Sequence, residues 1–376
     1  MIIELILWSS LILIFYTYLG YPLLLKFISF FRSKAVKKGK IFPSVTFIIT
    51  AHNEEATIKS KIKNSLSLDY PKNKLQIIAA SDASSDETDE YVLEYKNYAV
   101  ELVRTEERKG KENAQKHAVE KAKGEILIFS DIATILQPDA IINIVSNFND
   151  SSVGCVSSVD KFIEEDGKLS GEGAYVRYEM FLRNLESRVN SLVGLSGSFF
   201  AARKEVCENW NTNLQSDFNT LLNSFKLGLR GISDPNSVGY YRNISDETKE
   251  FDRKVRTVLR GITVFFNSLS LLNPLKYAMF SWQLFSHKLM RWLVPWFQII
   301  ALITNIILAV HIDIYRVILF FHLGFYLISL LGSFPGNKLP FFKLPYYFVI
   351  VNYSTFIAWI KFLKGERIIT WTPSAR

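Results

Sequence analysis

Two cysteines in 376 residues are too few for a disulfide scaffold or a cysteine-built metal site, and Cys155 and Cys207 read as core residues. No G-x-G-x-x-G follows the first strand-like run, and no G-x-x-x-x-G-K-[ST] occurs anywhere. Both gaps argue against a dinucleotide-binding fold and a P-loop NTPase. A second acid is also missing where one is wanted. The run EILIFSD ends in Asp131, an acid at a strand end where metals and nucleotides bind, yet the next two residues are Ile132 and Ala133.

What is present points two ways at once. Hydrophobic residues make up 49% of the chain, too many for an ordinary soluble enzyme, while 21% charged residues are too many for a protein wholly in the membrane. A soluble part joined to a membrane part satisfies both. Residues 5–25 carry no charge over the length a bilayer core demands. The start, MIIEL, lacks the basic opening of a signal peptide, so this run reads as a retained anchor. Lys26, Arg32, Lys34, Lys37, Lys38 and Lys40 follow it. They read as a cytoplasmic, lipid-facing flank rather than a nucleic-acid surface, despite the net charge of +8. Three further uncharged runs, 292–310, 317–337 and 344–360, end the chain, the last barely long enough to span. Four crossings would put Lys364 and Arg367 outside, against the charge bias. These runs carry neither acids nor paired broken helices, so a transporter has no support.

The expected organisation is an anchor over 1–31, an α/β domain over 40–262 and an interfacial and transmembrane region over 263–376. In the middle, short β-branched runs at 44–51, 75–81, 100–104, 125–131 and 153–159 alternate with helical patterns such as Ala56, Ile58, Ile62 and Leu66. This predicts a mostly parallel sheet flanked by helices, with ligands beyond the carboxyl ends of its strands. The segments there are polar: AHNEEAT, SDASSDET, RTEERKGKENA and then Asp131.

These segments, in this order, resemble the family 2 glycosyltransferases, membrane-anchored enzymes of bacterial polysaccharide and lipid-linked glycan assembly with a GT-A fold. The matches are TAHNEEATI, SDASSDET, RKGKENAQ, FSDIAT, GLSGSFFAARKEV (194–206), SDFNTLL (216–222) and KEFDRKVRTVLRG (249–261), with SHKLMRWLVP (286–295) opening the membrane region. The resemblance spans nearly the whole chain. It implies a nucleotide-sugar donor, a divalent cation (Mg²⁺ or Mn²⁺) and an inverting displacement.

It also implies roles, residue by residue, each with a plainer alternative. Asp82 matches the family's nucleotide-binding acid and can accept from a base N–H or ribose hydroxyls; the alternative is an Asx-turn or cap, for which Asp86 is better placed. Glu54 faces the nucleotide or merely opens a helix. Lys111, after a Gly at a helix start, meets the donor diphosphate, with Arg108 as a weaker partner, or is a solvated lysine. Asp217 matches the acid that activates the acceptor hydroxyl; an N-cap is its alternative. Gly197 and Ser198 let an acceptor approach the backbone, or serve close packing. In RKVRT, Arg253 and Arg256 neutralise the leaving diphosphate or touch anionic lipid. This segment departs from the processive Q-x-x-R-W pattern, with Arg253 for Gln and Thr257 for Trp, which weighs against processivity. Asp131 is the surviving half of an Asp-x-Asp metal motif, with the donor phosphates, water and Thr134 completing the shell.

The expected activity is transfer of a sugar to a lipid-linked or other glycan acceptor at the cytoplasmic face of the cell membrane, with no nucleic-acid partner. A processive polysaccharide synthase and a catalytically weak membrane partner of a glycan-assembly complex are the rivals.

Overall fold

The computed structural model describes residues 1–163, 174–242, 247–334 and 339–368. The chain forms two compact units, one holding 1–27, 246–266 and 272–367, the other centred on 28–245 and 267–271. The helix Glu247–Phe266 thus groups with the hydrophobic helices, whereas the sequence pattern set 246–262 with the sheet.

The second unit is built on one sheet. Its strands among the described residues are β1 (Val45–Ala51), β2 (Leu75–Ser81), β3 (Val100–Arg104), β4 (Ile126–Asp131), β5 (Ile135–Leu136), β6 (Val153–Ile163), β7 (Phe199–Arg203) and β8 (Arg230–Arg242). They lie in the order β3-β2-β1-β4-β7-β6-β8-β5. The half from β3 to β4 is parallel, β7 runs antiparallel between β4 and β6, and β6 pairs parallel with β8. The five expected strands form close to their expected places. β1 is buried at every position, as a central strand covered on both faces must be. Phe47, Ile49, Ile128 and Phe199 anchor the core.

β8 was not legible because Asp234-Pro235-Asn236 reads as a turn. The ladder accommodates it: Ser157 pairs with Ser233 and Val159 with Val238, so the proline and its neighbours loop out of register. The helix Ile58–Leu66 buries Ile58, Lys61, Ile62 and Ser65, one stripe at helical spacing. A lysine thus occupies a core position that the apolar pattern alone skips.

Part of the lysine-rich stretch is engaged by the sheet unit, while Lys26, Arg32, Lys37 and Lys40 stay exposed. Lys38 pairs with the fully buried Asp234 at 2.7 Å, which Asn147 also meets at 2.7 Å. The Lys34 N–H donates to the Arg188 carbonyl at 2.7 Å, and Arg230 donates to the Lys34 and Ala35 carbonyls. A buried carboxylate demands a cation, and Lys38 supplies it, so residues 34–39 lie against the sheet unit.

The first unit carries four helical segments long and apolar enough to cross a membrane: Ile2–Phe31, Met279–Ala309, Asp313–Gly332 and Pro340–Leu363. The last is 24 residues, longer than the uncharged run at 344–360 promised. The third ends at Gly332, and 335–337 of its expected run lie outside the described residues. Polar contacts occur among these helices: the Tyr16 and Ser286 hydroxyls lie 2.6 Å apart, and the Trp282 indole donates to Tyr16 at 2.9 Å.

Candidate active site

The carboxyl ends of β1, β2 and β4 bring their polar segments together, as parallel topology requires. β4 ends at Asp131, whose N–H donates to the Ser198 carbonyl at 2.8 Å. Lys111 opens the helix Lys111–Lys121, and its ammonium stands 2.5 Å from Asp131 Oδ1 and 3.0 Å from the Gly197 carbonyl. The Lys111 side chain is only 11% exposed, so the solvated-lysine alternative does not hold.

Gly197 joins this pair to Asp217. A Cβ at position 197 would come within 2.6 Å of Asp217 Oδ2, so only glycine lets the carboxylate lie where it does. Asp217 is buried in the first turn of the helix Ser216–Lys226, whose N-cap is Gln215. Its carboxylate accepts from the Phe218 N–H at 2.7 Å and the Gln215 amide at 3.1 Å. The simple N-cap alternative is thereby replaced by a carboxylate seated inside the helix opening, favoured by the helix dipole. Glu112, unremarked in the sequence, ties the two helices: its Oε1 accepts from the Ser216 N–H at 3.3 Å, and its carbonyl accepts from the Trp210 indole at 2.9 Å. Trp210 in turn stacks on Phe129 of β4.

Asp82 departs from expectation. It is fully buried, and its two oxygens accept from the Lys109 N–H at 3.0 Å and the Gly110 N–H at 2.9 Å. Gly110 has φ +99°, a left-handed conformation that glycine alone adopts cheaply. Asp82 therefore holds the loop carrying Arg108 and leading to Lys111, rather than offering an open carboxylate to a nucleotide. Arg108 itself is exposed. Asp86 makes an Asx-turn just before the helix Thr88–Leu93, accepting from the Thr88 N–H at 3.1 Å and the Glu55 N–H at 3.1 Å. Glu54 is half-buried and accepts from the Thr57 hydroxyl at 2.6 Å. Burial raises its pKa above the usual carboxylate range, the Thr57 hydrogen bond opposes this, and the nearby Asp131 and Asp86 charges add to the rise.

Lys61 is another residue that the sequence pattern did not single out. Its ammonium is buried under the β4 turn, donating to the Ser130 hydroxyl at 2.7 Å and the Thr134 carbonyl at 2.6 Å. Burial lowers its pKa to about 7, against the opposing pull of Asp131. Its only cue was a charge on the buried stripe of an otherwise amphipathic helix.

Asp131 is the acid at the strand end for which the family resemblance implies a divalent cation. Among the described residues no group of three or more His, Cys, Asp or Glu is placed to hold a metal. A single carboxylate fits a cation held chiefly by a donor's own phosphates, since Mg²⁺ retains water and phosphate ligands readily. Ser198 lies beside Asp131, and its carbonyl accepts from the Thr134 hydroxyl at 3.2 Å as well as from Asp131. Arg253 and Arg256 belong to the other unit. Glu250 pairs with Arg253 at 2.7 Å, and burial, with Arg260 and Arg253 nearby, lowers the Arg256 pKa.

Comparison with known proteins agrees with this architecture. Residues 46–210 match the profile of the family described as Glycosyl transferase family 2. Poly-beta-1,6-N-acetyl-D-glucosamine synthase of Staphylococcus aureus (strain COL) is 28% identical over 195 residues, 50% of this chain and 46% of that protein. The synthase of the same name from Staphylococcus epidermidis is 27% identical over 179 residues, 45% and 42% of the two chains. The chain thus spans about half the length of the curated relatives it matches. Among solved structures, mannosyltransferase PcManGT from Pyrobaculum calidifontis, in complex with GDP-Man and Mn²⁺, aligns over 97% of this chain and all of its own with TM-score 0.76 at 21% identity, which establishes a shared fold. Residues 46–210 thus carry the match to Glycosyl transferase family 2, the sheet has the GT-A-like arrangement, and the chain also holds helices of membrane-spanning length.

Proposed function

We propose that this protein is a membrane-bound inverting glycosyltransferase that moves a sugar from a nucleotide-sugar donor to a glycan acceptor, lipid-linked in its natural setting, at the cytoplasmic face of the cell membrane. One observation carries the reading: Asp131, Lys111, Gly197 and Asp217 form an unbroken run of contacts at the carboxyl end of the sheet. It joins a cation suited to a diphosphate with an acid suited to a hydroxyl.

In this reading Asp217 takes the proton of the acceptor hydroxyl that attacks the anomeric carbon. Lys111 turns from Asp131 to the donor diphosphate and balances the charge of the leaving group. Arg108 adds to that charge balance, and Asp82 serves by holding the loop between them. Glu54 lines the nucleotide side. Gly197 and Ser198 present a close-approach surface to the acceptor. A divalent cation, Mg²⁺ or Mn²⁺, would be held by Asp131 and would neutralise charge on the diphosphate.

Release of nucleoside diphosphate from a panel of nucleotide-sugars, with and without Mn²⁺, tests the activity. Asp217→Asn is expected to lower transfer about 10²–10⁴-fold while sparing donor binding; unchanged transfer would remove Asp217 from the mechanism. The name of the staphylococcal relatives favours a second reading, a processive synthase. The length of the product made by the purified protein separates the two.

A further inference from the structure

Asp160 stands at the point where β6 emerges from the core. The strand is buried from Val153 to Ser158 and opens from Val159 onward. Hydroxyl groups surround one side of its carboxylate. Oδ1 accepts from Ser196 at 2.7 Å, Tyr241 at 3.1 Å, Ser198 at 3.3 Å and Ser158 at 3.4 Å. Oδ2 accepts from the Ser196 hydroxyl alone among the described residues, at 2.9 Å, and the residue is partly exposed.

This group adjoins the site already described. Ser198 is hydrogen-bonded to Asp160 through its hydroxyl, while its carbonyl accepts from Asp131. Ser196 flanks Gly197, against which Asp217 packs. The buried Tyr241 phenol bonds to Ser198 as well as to Asp160, and its pKa is raised by burial and by the charges of both Asp160 and Asp131. Two carboxylates thus face one tyrosine, and among the described residues only Asp131 of the two has a lysine on it.

We propose that Asp160 is a specificity-determining residue whose outer oxygen accepts hydroxyl groups of the carbohydrate handled at this site. The proposal rests on the glycosyl-transfer reading. Sugar hydroxyls are donors in need of strong acceptors, and an ionised carboxylate is the strongest acceptor a side chain offers. The serine and tyrosine hydroxyls serve as donor or acceptor by rotation, so they hold the carboxylate without fixing which sugar it meets. The carbohydrate is either the sugar of the donor or that of the acceptor, since both must come together between Asp131 and Asp217.

Asp160→Asn tests this in the full-length protein in detergent. The amide keeps the shape, and the surrounding hydroxyls can turn to accept from it, so folding is expected to survive. Affinity for UDP and GDP is compared with affinity for UDP-N-acetylglucosamine and GDP-mannose, and KM is measured for N-acetylglucosamine and mannose oligosaccharides as acceptors. The expected result is unchanged binding of the free nucleotides with a tenfold or greater loss in one sugar-dependent quantity. Loss of the preference for sugar nucleotide over nucleotide identifies the donor sugar; a raised acceptor KM identifies the acceptor. Both quantities unchanged in a folded variant overturn the proposal and leave glycosyl transfer intact. A wild-type protein that handles no sugar nucleotide sinks both. If Asp160→Asn melts early, Asp160→Glu keeps the charge but shifts its reach, and is expected to alter the preference among sugars; the wild-type preference would count against the assignment.

Discussion

The Lys111 ammonium lies 2.5 Å from Asp131 Oδ1, so the acid that the sequence leaves without a second acid has a lysine for its partner. The charge of this carboxylate is compensated from the neighbouring helix. If Lys111 transfers to a donor diphosphate, Lys111→Met removes one charge-assisted contact. Such contacts contribute about 1.5–3 kcal/mol. Calorimetry should therefore give UDP or GDP binding weaker by about tenfold or more, and equal affinity would place the diphosphate elsewhere.

Gly197→Ala sets a methyl group 2.6 Å from Asp217 Oδ2. The carboxylate must rotate, away from the Gln215 amide and the Phe218 N–H that seat it. Misplacing a reacting group by about 1 Å can cost about 10²-fold in rate. Turnover should fall by that order, with free-nucleotide affinity held, because Lys111 meets the carbonyl of residue 197 and not its side chain. Wild-type turnover in this variant would show that the Asp217 orientation is immaterial.

Lys61 links stability to pH. Its folded pKa of about 7 lies below the ordinary 10.5. Between those values the unfolded chain binds the extra proton, so the folded state gains stability as pH rises, by up to about 1.4 kcal/mol per pH unit. Below pH 7 the full burial penalty is present in the native protein. Lys61→Met should raise the melting temperature most at pH 6, and its advantage should shrink steadily toward pH 9. A difference independent of pH would mean that the buried ammonium does not titrate in this range.

Lys38 offers a test of where the lysine-rich stretch lies. Lys38→Met leaves Asp234 buried without its ammonium. Asn147, Ser237 and the Asn236 N–H still bond that carboxylate, and Lys38 is 39% exposed, so the loss is discounted to about 1–2 kcal/mol. Thermal melting should show it equally with neutral and anionic lipid. A loss seen only with anionic lipid would restore the lipid-facing reading.

The sequence by itself determined the local elements and their order. Five strands, the membrane-length runs and the polar segments after each strand follow from periodicity and composition, which act over a few residues. Lys111, Asp131, Gly197 and Asp217 were each singled out from their segments. Tertiary structure alone decided what these residues meet. Asp82 turns to main-chain amides from 27 and 28 positions on, Lys111 reaches an acid 20 residues away and a carbonyl 86 away, and Lys61 enters the core to hold a turn 69–73 residues downstream. The physical reason is that a buried charge or donor must find its partner in space. The choice among distant partners is made by strand order and register, which no local pattern encodes.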